Sequence, residues 1–316
     1  MKAKSISAHQ ILDSRGVPTI RGILTMDNGV HVTTEVPSGK SLSKYEPKEL
    51  RDNDPEAFDG QGTLTACDYI TKLLAPKLIG ADVTRQHDVD KWLLQADASP
   101  DRSKLGANTL LTISQLFLKA GAASSAMPLF RYINQIYASY HKSDVAITTI
   151  PSPIINIING SKHGSASLDF QEFHIIPSTA YKFSEALTLS AKVYAQAKKI
   201  LEYKNVGIFV SEQGGFAPNL LTNVDGLEVI KEAVTKSKLR MGVDIHTGLD
   251  CAANGYFNDK KYKIKDKEEQ LNPEEYMEFI KNLSANYSIL ILEDPLQEDA
   301  FGDWKKLRTT IGETTY

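Results

Sequence analysis

The chain has 316 residues, enough for two domains or one large one, and 41% of them are hydrophobic, enough for a substantial core. Its formal net charge of -3 argues against a general electrostatic attraction for nucleic acid or for an acidic membrane surface. The composition is that of an ordinary globular protein.

The N-terminal segment MKAKSISAHQILDSRG lacks the unbroken apolar core and the small-residue cleavage site of a signal peptide. No apolar run approaches the length needed to cross a bilayer. The cysteines, Cys67 and Cys251, fit no metal-binding or redox spacing, which favours buried free thiols in a reducing compartment. We expect a cytoplasmic protein that binds neither nucleic acid nor membrane.

Two β-type runs lie near the start of the chain, at 20–26 and 30–36. They are joined at Asp27-Asn28-Gly29, and Asn-Gly is the strongest short-range hairpin signal because both residues tolerate positive φ. The small-residue loop that follows, PSGKSLS at 37–43, is compatible with a mobile lid or with an exposed linker.

Apolar residues recur at helical spacing over 67–79 and 107–126, which predicts core helices. A polar stretch at 137–144 follows and is the best candidate for a domain boundary. From Pro151 onward, strand-like and helical patterns alternate. We therefore predict an α+β module at 1–142 and an α/β part at 143–316.

Three helices are predicted in the second part. Their expected buried faces are, in order, Leu187, Ala191, Tyr194, Ala197 and Leu201, then Leu227, Ile230 and Val234, then Tyr276, Ile280 and Leu283. Asn272-Pro273 opens the third helix with a capping Asn and a Pro at its first position. The apolar run 288–292 predicts a buried parallel strand that ends at Glu293.

A polar loop lies between two strand-length apolar runs, 154–158 and 173–176. His163, Gln171 and Glu172 stand in or beside it, where a loop or strand end would direct them into a cleft. On this stretch alone, the simpler interpretation is that these polar side chains face solvent, and not that they form a catalytic site.

Acidic residues stand at further strand ends. Asp250 and Glu293 each end a candidate strand, and chemistry in β/α barrels lies at such ends. Carboxylates that converge there repel one another unless they are protonated or bridged by a cation, and oxygen ligands suit Mg²⁺. A single acid at a strand end is commonly a cap, so spacing alone leaves a metal site and a structural role open.

Ten segments in a fixed order carry a resemblance to a known family. They are DSRGVPT (13–19), PSGKS (37–41), YEPKELRD (45–52), SKLGAN (103–108), PLFRYI (128–133), NIINGSKH (156–163), LDFQEF (168–173), QGGFAPN (213–219), LDCAAN (249–254) and LEDPLQED (292–299). Along its whole length the chain resembles enolase, the phosphopyruvate hydratase of glycolysis.

The resemblance implies a fold and an activity. The fold is an N-terminal α+β domain that carries the lid, followed by a β/α barrel, usually assembled as a homodimer. The activity is the reversible Mg²⁺-dependent dehydration of 2-phosphoglycerate to phosphoenolpyruvate.

The resemblance also implies roles for individual residues. Asp250 and Glu293 match two ligands of the first Mg²⁺, and Ser41 matches the lid residue that binds the second. His163 and Glu172 match catalytic and substrate-binding residues, and we place Gln171 in the substrate site beside them.

Gln213 departs from the family pattern, since it stands where the family has the glutamate that helps to expel the 3-hydroxyl as water. An amide keeps the shape of that side chain but has no proton to deliver. Glu212 is not expected to replace it, because neighbouring side chains of an extended segment point to opposite faces. Lys40 and Ser43 are further changes, in the lid.

The sequence also stops, by this comparison, before the family's third Mg²⁺ ligand and its catalytic lysine. We therefore expect a C-terminally truncated, incomplete barrel, from a fragment or from a split or degenerate gene. Three functions stay open: an enolase-like lyase, a non-catalytic enolase-derived binding or assembly protein, and another acid-handling member of the wider barrel superfamily.

Overall fold

The computed structural model describes residues 1–39, 43–143, 145–164, 166–312 and 315–316. The described chain divides into two compact units, Met1–Thr148 and Thr149–Tyr316. None of the helices in these segments has the length and apolar character needed to cross a bilayer.

The first unit contains, within its described residues, an antiparallel three-stranded sheet. Its strands are β1 (Ala3–Leu12), β2 (Pro18–Met26) and β3 (His31–Val36), in the order β1-β2-β3. The predicted hairpin is confirmed as β2 and β3, and Gly29 in its turn has φ +86°. Sequence reasoning missed β1, whose buried residues include the small Ala3 and Ala8 and so give a weak apolar alternation.

Helices cover this sheet and confirm both predicted core helices of the first part. A continuous helical segment is formed by α1 (Leu64–Asp68), a π-helical stretch (Tyr69–Leu74) and α2 (Ala75–Leu78), and it is followed by α3 (Gln86–Ala96), α4 (Ala107–Ser124) and α5 (Leu129–His141). Ile113, Leu116 and Phe117 of α4 are fully buried in the core that this unit forms with its sheet.

The polar stretch 137–144, the candidate domain boundary, is helical over part of its length. Its residues 137–141 form the last turns of α5, which ends at His141, and Lys142 caps the helix in a left-handed conformation with φ 50°. Backbone hydrogen bonds continue a helix across a polar face, so side-chain polarity alone does not mark its end.

The second unit contains, among described residues, a four-stranded sheet. Its strands are β4 (Ile155–Asn159), β5 (Glu172–Pro177), β6 (Ile245–Asp250) and β9 (Ile289–Glu293), in the order β4-β5-β6-β9. The expected parallel pairing holds for β6 and β9, whereas β5 is antiparallel to both of its neighbours. The described residues of the link from β4 to β5, 160–164 and 166–171, hold no crossover helix, which a parallel pair would require.

Helices and one small hairpin complete the second unit, which confirms the predicted α/β class. They are α6 (Phe183–Lys204), α7 (Asn223–Lys236), the hairpin of β7 (Phe257–Asn258) and β8 (Lys261–Tyr262), α8 (Pro273–Tyr287) and α9 (Phe301–Ile311). The predicted cap of α8 is confirmed, because the Asn272 side chain accepts a hydrogen bond from the Glu275 amide. Both cysteines are buried free thiols, as expected.

The predicted buried face of α6 is partly wrong. Leu187 and Ala191 of α6 are exposed, and the buried stripe instead passes through Ala186, Ser190 and Val193. Ser190 is small enough to be buried on this face. Because serine is polar, a search for apolar residues at helical spacing does not find it.

The core of the second unit depends on α7. Ile230 is fully buried in it, whereas Leu221, just before the helix, is 81% exposed. We expect Ile230→Ala to lower the free energy of unfolding by about 2–5 kcal/mol, because the vacated space cannot close completely. Leu221→Ala is the control, with an expected change within about 0.5 kcal/mol. Urea unfolding measures both, and equal effects would contradict this account of the core.

Candidate active site

Four polar residues form one row across the sheet of the second unit. The strand register pairs Asn159 with Glu172, Glu172 with Asp250, and Asp250 with Glu293. Residues paired across neighbouring strands project from the same face. Asp250 and Glu293 are the last residues of β6 and β9, and Glu172 joins them as the first residue of β5 because β5 runs the opposite way.

Asp250 is the most enclosed carboxylate of this row, with 7% of its surface exposed. It accepts hydrogen bonds from Gln171 Nε2 at 2.8 Å and from the Ala252 amide at 3.0 Å. Burial raises its pKa to about 6, and the negative charges of Glu293 and Glu172 act in the same direction against these hydrogen bonds. The charge of Asp250 is therefore poorly screened by water, whereas Glu172 is partly buried and Glu293 is exposed.

Gln171 and Glu172 are both placed at this site by the structure. Gln171 is buried. In addition to its side-chain hydrogen bond, its backbone N–H donates to the backbone carbonyl of Asp250 at 2.9 Å. Glu172 Oε2 lies 2.9 Å from Nε2 of His174. Gln171 thus holds a neighbouring carboxylate, a role that its sequence position alone does not give.

Gln213 reaches the row through Asn159. Asn159 Nδ2 donates to Gln213 Oε1 at 3.0 Å, and Asn159 Oδ1 accepts from the Ser211 hydroxyl at 2.8 Å. Gly215 allows this approach, since a Cβ there would lie 2.1 Å from Asn159 Oδ1. The amide at position 213 is therefore attached to the first member of the row.

Glu212 does not lie in the extended segment that the sequence suggested. Residues 212 and 213 form a turn, and the chain returns so that Val210 and Phe216 bridge in antiparallel fashion. Side-chain alternation applies to strands and not to such a turn.

Two predicted site residues are not placed by the structure. Ser41 of the lid lies outside the described residues, as does Lys40. His163 ends a 3-10 turn, Ser161–His163, between β4 and β5, and its side chain lies outside what is described. Ser43 is described, and its amide donates to Glu46 Oε2 at 3.3 Å.

Sequence reasoning missed Asn159, Ser211 and His174 as site residues. A signal existed for His174, because a residue two positions after Glu172 on a strand shares its face. Asn159 ends an apolar run at the site edge, but its bond to residue 213 spans 54 positions and has no local signature.

Asp250 and Glu293 offer oxygen ligands only. Among the described residues, no group of three or more His, Cys, Asp or Glu side chains is arranged to hold a metal ion. Two adjacent carboxylates nevertheless fit Mg²⁺, which is commonly held by one or two carboxylates and keeps several waters. Burial first and the charge of Glu293 second raise the pKa of Asp250, and a bound divalent cation would offset both effects.

Family models cover nearly the whole chain. The model of the enolase N-terminal domain matches residues 3–133, and that of the enolase C-terminal TIM barrel domain matches residues 147–315. This chain belongs to the enolase family. By family it is a phosphopyruvate hydratase, a lyase of glycolysis, and the resemblance drawn from the sequence is confirmed.

Named enolases are similar to it along most of their length. The enolase of Ehrlichia canis (strain Jake) is 40% identical over 307 residues, which are 97% of this chain and 70% of that enolase. The enolase of Ehrlichia ruminantium (strain Welgevonden) is 38% identical over 313 residues, 99% of this chain and 72% of that enolase.

The raised pKa of Asp250 predicts a pH dependence of stability in the absence of metal. Its folded pKa of about 6 exceeds the ordinary value of 3.8, so its contribution is fully present below the ordinary pKa and is lost as the pH rises through 6. From pH 4 to pH 7, Asp250→Asn should therefore gain about 2 kcal/mol in unfolding free energy relative to the unaltered chain.

Carbon-13 NMR of the Asp250 carboxyl group gives a direct measurement. The midpoint should lie near 6 and move toward the ordinary value in Glu293→Gln, because one neighbouring charge is removed. Glu269→Gln, at an exposed position, is the control and should leave the midpoint unchanged. A midpoint near 4 in the unaltered chain would contradict the prediction.

Proposed function

We propose that this protein catalyses the reversible, Mg²⁺-dependent dehydration of 2-phosphoglycerate to phosphoenolpyruvate. The observation that carries the proposal is the row of Glu172, Asp250 and Glu293 at one edge of the sheet in an enolase-family chain. The reaction removes a very weakly acidic proton and builds negative charge on a carboxylate, so a site that gathers cation ligands suits it.

Asp250 and Glu293 would hold the first Mg²⁺, and Ser41 of the lid a second. When bound, the metal supplies positive charge that stabilises the negative charge developing on the substrate carboxylate. Gln171 orients the Asp250 carboxylate by its hydrogen bond of 2.8 Å and so prepares that ligand before any cation arrives.

Glu172 and His163 would act on the substrate in the cleft. Glu172 is next to Asp250 in the register and is held by its own hydrogen bond, so its carboxylate is available at a fixed place for proton handling or hydroxyl binding. Gln213 can only donate or accept hydrogen bonds toward a departing hydroxyl. We expect a slower enolase for that reason.

We infer a cytoplasmic homodimer with the lid in the N-terminal domain, 1–142, and the barrel from 143 onward. The net charge of -3 argues against nucleic acid or an acidic membrane surface as a partner. The alternative function is a non-catalytic, enolase-derived binding or assembly protein, and the first test below distinguishes it from an enzyme.

The first test is the appearance of phosphoenolpyruvate absorbance from 2-phosphoglycerate and Mg²⁺, with the protein expressed from its complete reading frame. Gln213→Glu should raise kcat about 10²- to 10⁴-fold, because it restores a general acid. Gln270→Glu adds the same charge at an exposed position and should change little.

Each outcome of that assay has a definite meaning. Equal rates for the unaltered protein and Gln213→Glu would contradict the role given to residue 213. Turnover by the variant alone would identify a non-catalytic protein, and turnover by neither would contradict the proposed reaction.

Metal binding is tested by thermal unfolding with and without Mg²⁺. A ligand that binds only the folded chain stabilises it by about 2.7 kcal/mol at 100 times its Kd, so Mg²⁺ should raise Tm. Asp250→Asn should remove this rise, whereas Asp259→Asn, at an exposed position outside the row, should keep it. An undiminished rise in Asp250→Asn would rule out the assigned ligand.

A further inference from the structure

His174 is a buried histidine next to a residue of the proposed reaction. It lies on β5 two positions after Glu172, so both side chains project from the same face. It is 6% exposed, and its Nε2 lies 2.9 Å from Glu172 Oε2. This pair joins the sheet interior to the edge where the carboxylates gather.

The neighbouring strand leaves room for the imidazole ring. The register partner of His174 on β6 is Gly248, where an added Cβ would lie 3.3 Å from His174 Cβ and 3.5 Å from its Nδ1. The same Cβ would lie 2.9 Å from Ile176 Cδ1. Gly248 therefore leaves this side of the imidazole without a facing side chain, while the ring is buried from solvent.

The hydrogen-bond pattern selects one tautomer. His174 Nδ1 is fully enclosed and has no hydrogen-bond partner among the described residues. A proton on Nδ1 would be a buried donor without an acceptor, and the Nε2 lone pair would then face a carboxylate oxygen. Both penalties disappear when the proton is on Nε2, which then donates to Glu172.

We propose that His174 is a positioning residue that anchors the Glu172 carboxylate through an Nε2–H donor. This inference rests on the proposed function, in which Glu172 acts on the substrate. Because Gln213 has no acid proton, proton handling at the row depends more heavily on Glu172 and on its orientation. A fixed Oε2 sets the side-chain rotamer and hence the place of the carboxylate.

Two substitutions separate the hydrogen bond from the volume of the ring. His174→Gln keeps an N–H donor at similar reach, whereas His174→Met fills similar space without a donor. For His174→Met we expect kcat to fall about tenfold to a hundredfold while KM changes less than about threefold, since a misplaced group mainly affects the transition state. His174→Gln should recover most of kcat.

His246→Met is the matched control. His246 lies on β6 at the opposite end from Asp250 and is half-buried, so its replacement should leave both kinetic constants unchanged. Equal losses of kcat in the Gln and Met variants of His174 would show that the ring matters only for packing and would overturn the proposal.

A second measurement does not require turnover. A long-range proton–nitrogen NMR spectrum should show His174 as the Nε2–H tautomer, with a downfield proton that is slow to exchange. In Glu172→Met, that proton should move upfield and exchange faster. An Nδ1–H tautomer, or a signal insensitive to Glu172→Met, would overturn the proposal even if the protein is an active enolase.

The two measurements also separate this inference from the proposed function. If the unaltered protein shows the Nε2–H signature but no turnover, the proposed reaction fails and the anchoring pair stands. If it turns over and the signature is absent, the reaction stands and the inference fails.

Discussion

Strand register is the constraint on which the site depends. The pairing of Asn159, Glu172, Asp250 and Glu293 brings together residues from four separate strands. A slip of one residue in any pair would turn that strand's side chains to the other face and remove one member of the row. The same register brings carboxylates together, and burial, with the charges of Glu293 and Glu172 added to it, raises the pKa of Asp250 to about 6.

The core is what holds this register against the repulsion. Phe173 and Leu249, which follow and precede the row on β5 and β6, are fully buried, and α7 packs closely on Phe173. Gly226 of α7 permits that contact, because a Cβ there would lie 2.8 Å from the Phe173 ring. Burial of apolar residues thus offsets the electrostatic penalty of the site a few ångströms away.

Local patterns in the sequence predicted local structure well. The Asn28-Gly29 hairpin, the helix at 107–124 and the Asn272 cap all follow from turn chemistry, apolar period and capping, which act within a few residues. The places of Asp250 and Glu293 at strand ends left a metal site and a structural role open, and the resemblance to enolase gave them their predicted roles. The antiparallel direction of β5 and the bond between Asn159 and Gln213 were not predicted, since both depend on contacts between distant parts of the chain.

The turn that presents Gln213 is built to accept either an amide or a carboxylate at its tip. Its Asn159 partner donates through Nδ2, and a glutamate oxygen would accept that bond as well as the present Oε1 does. Codons for glutamine and glutamate differ by their first base alone. One nucleotide substitution would therefore give this position a side chain that can carry a proton and still accept the hydrogen bond from Asn159.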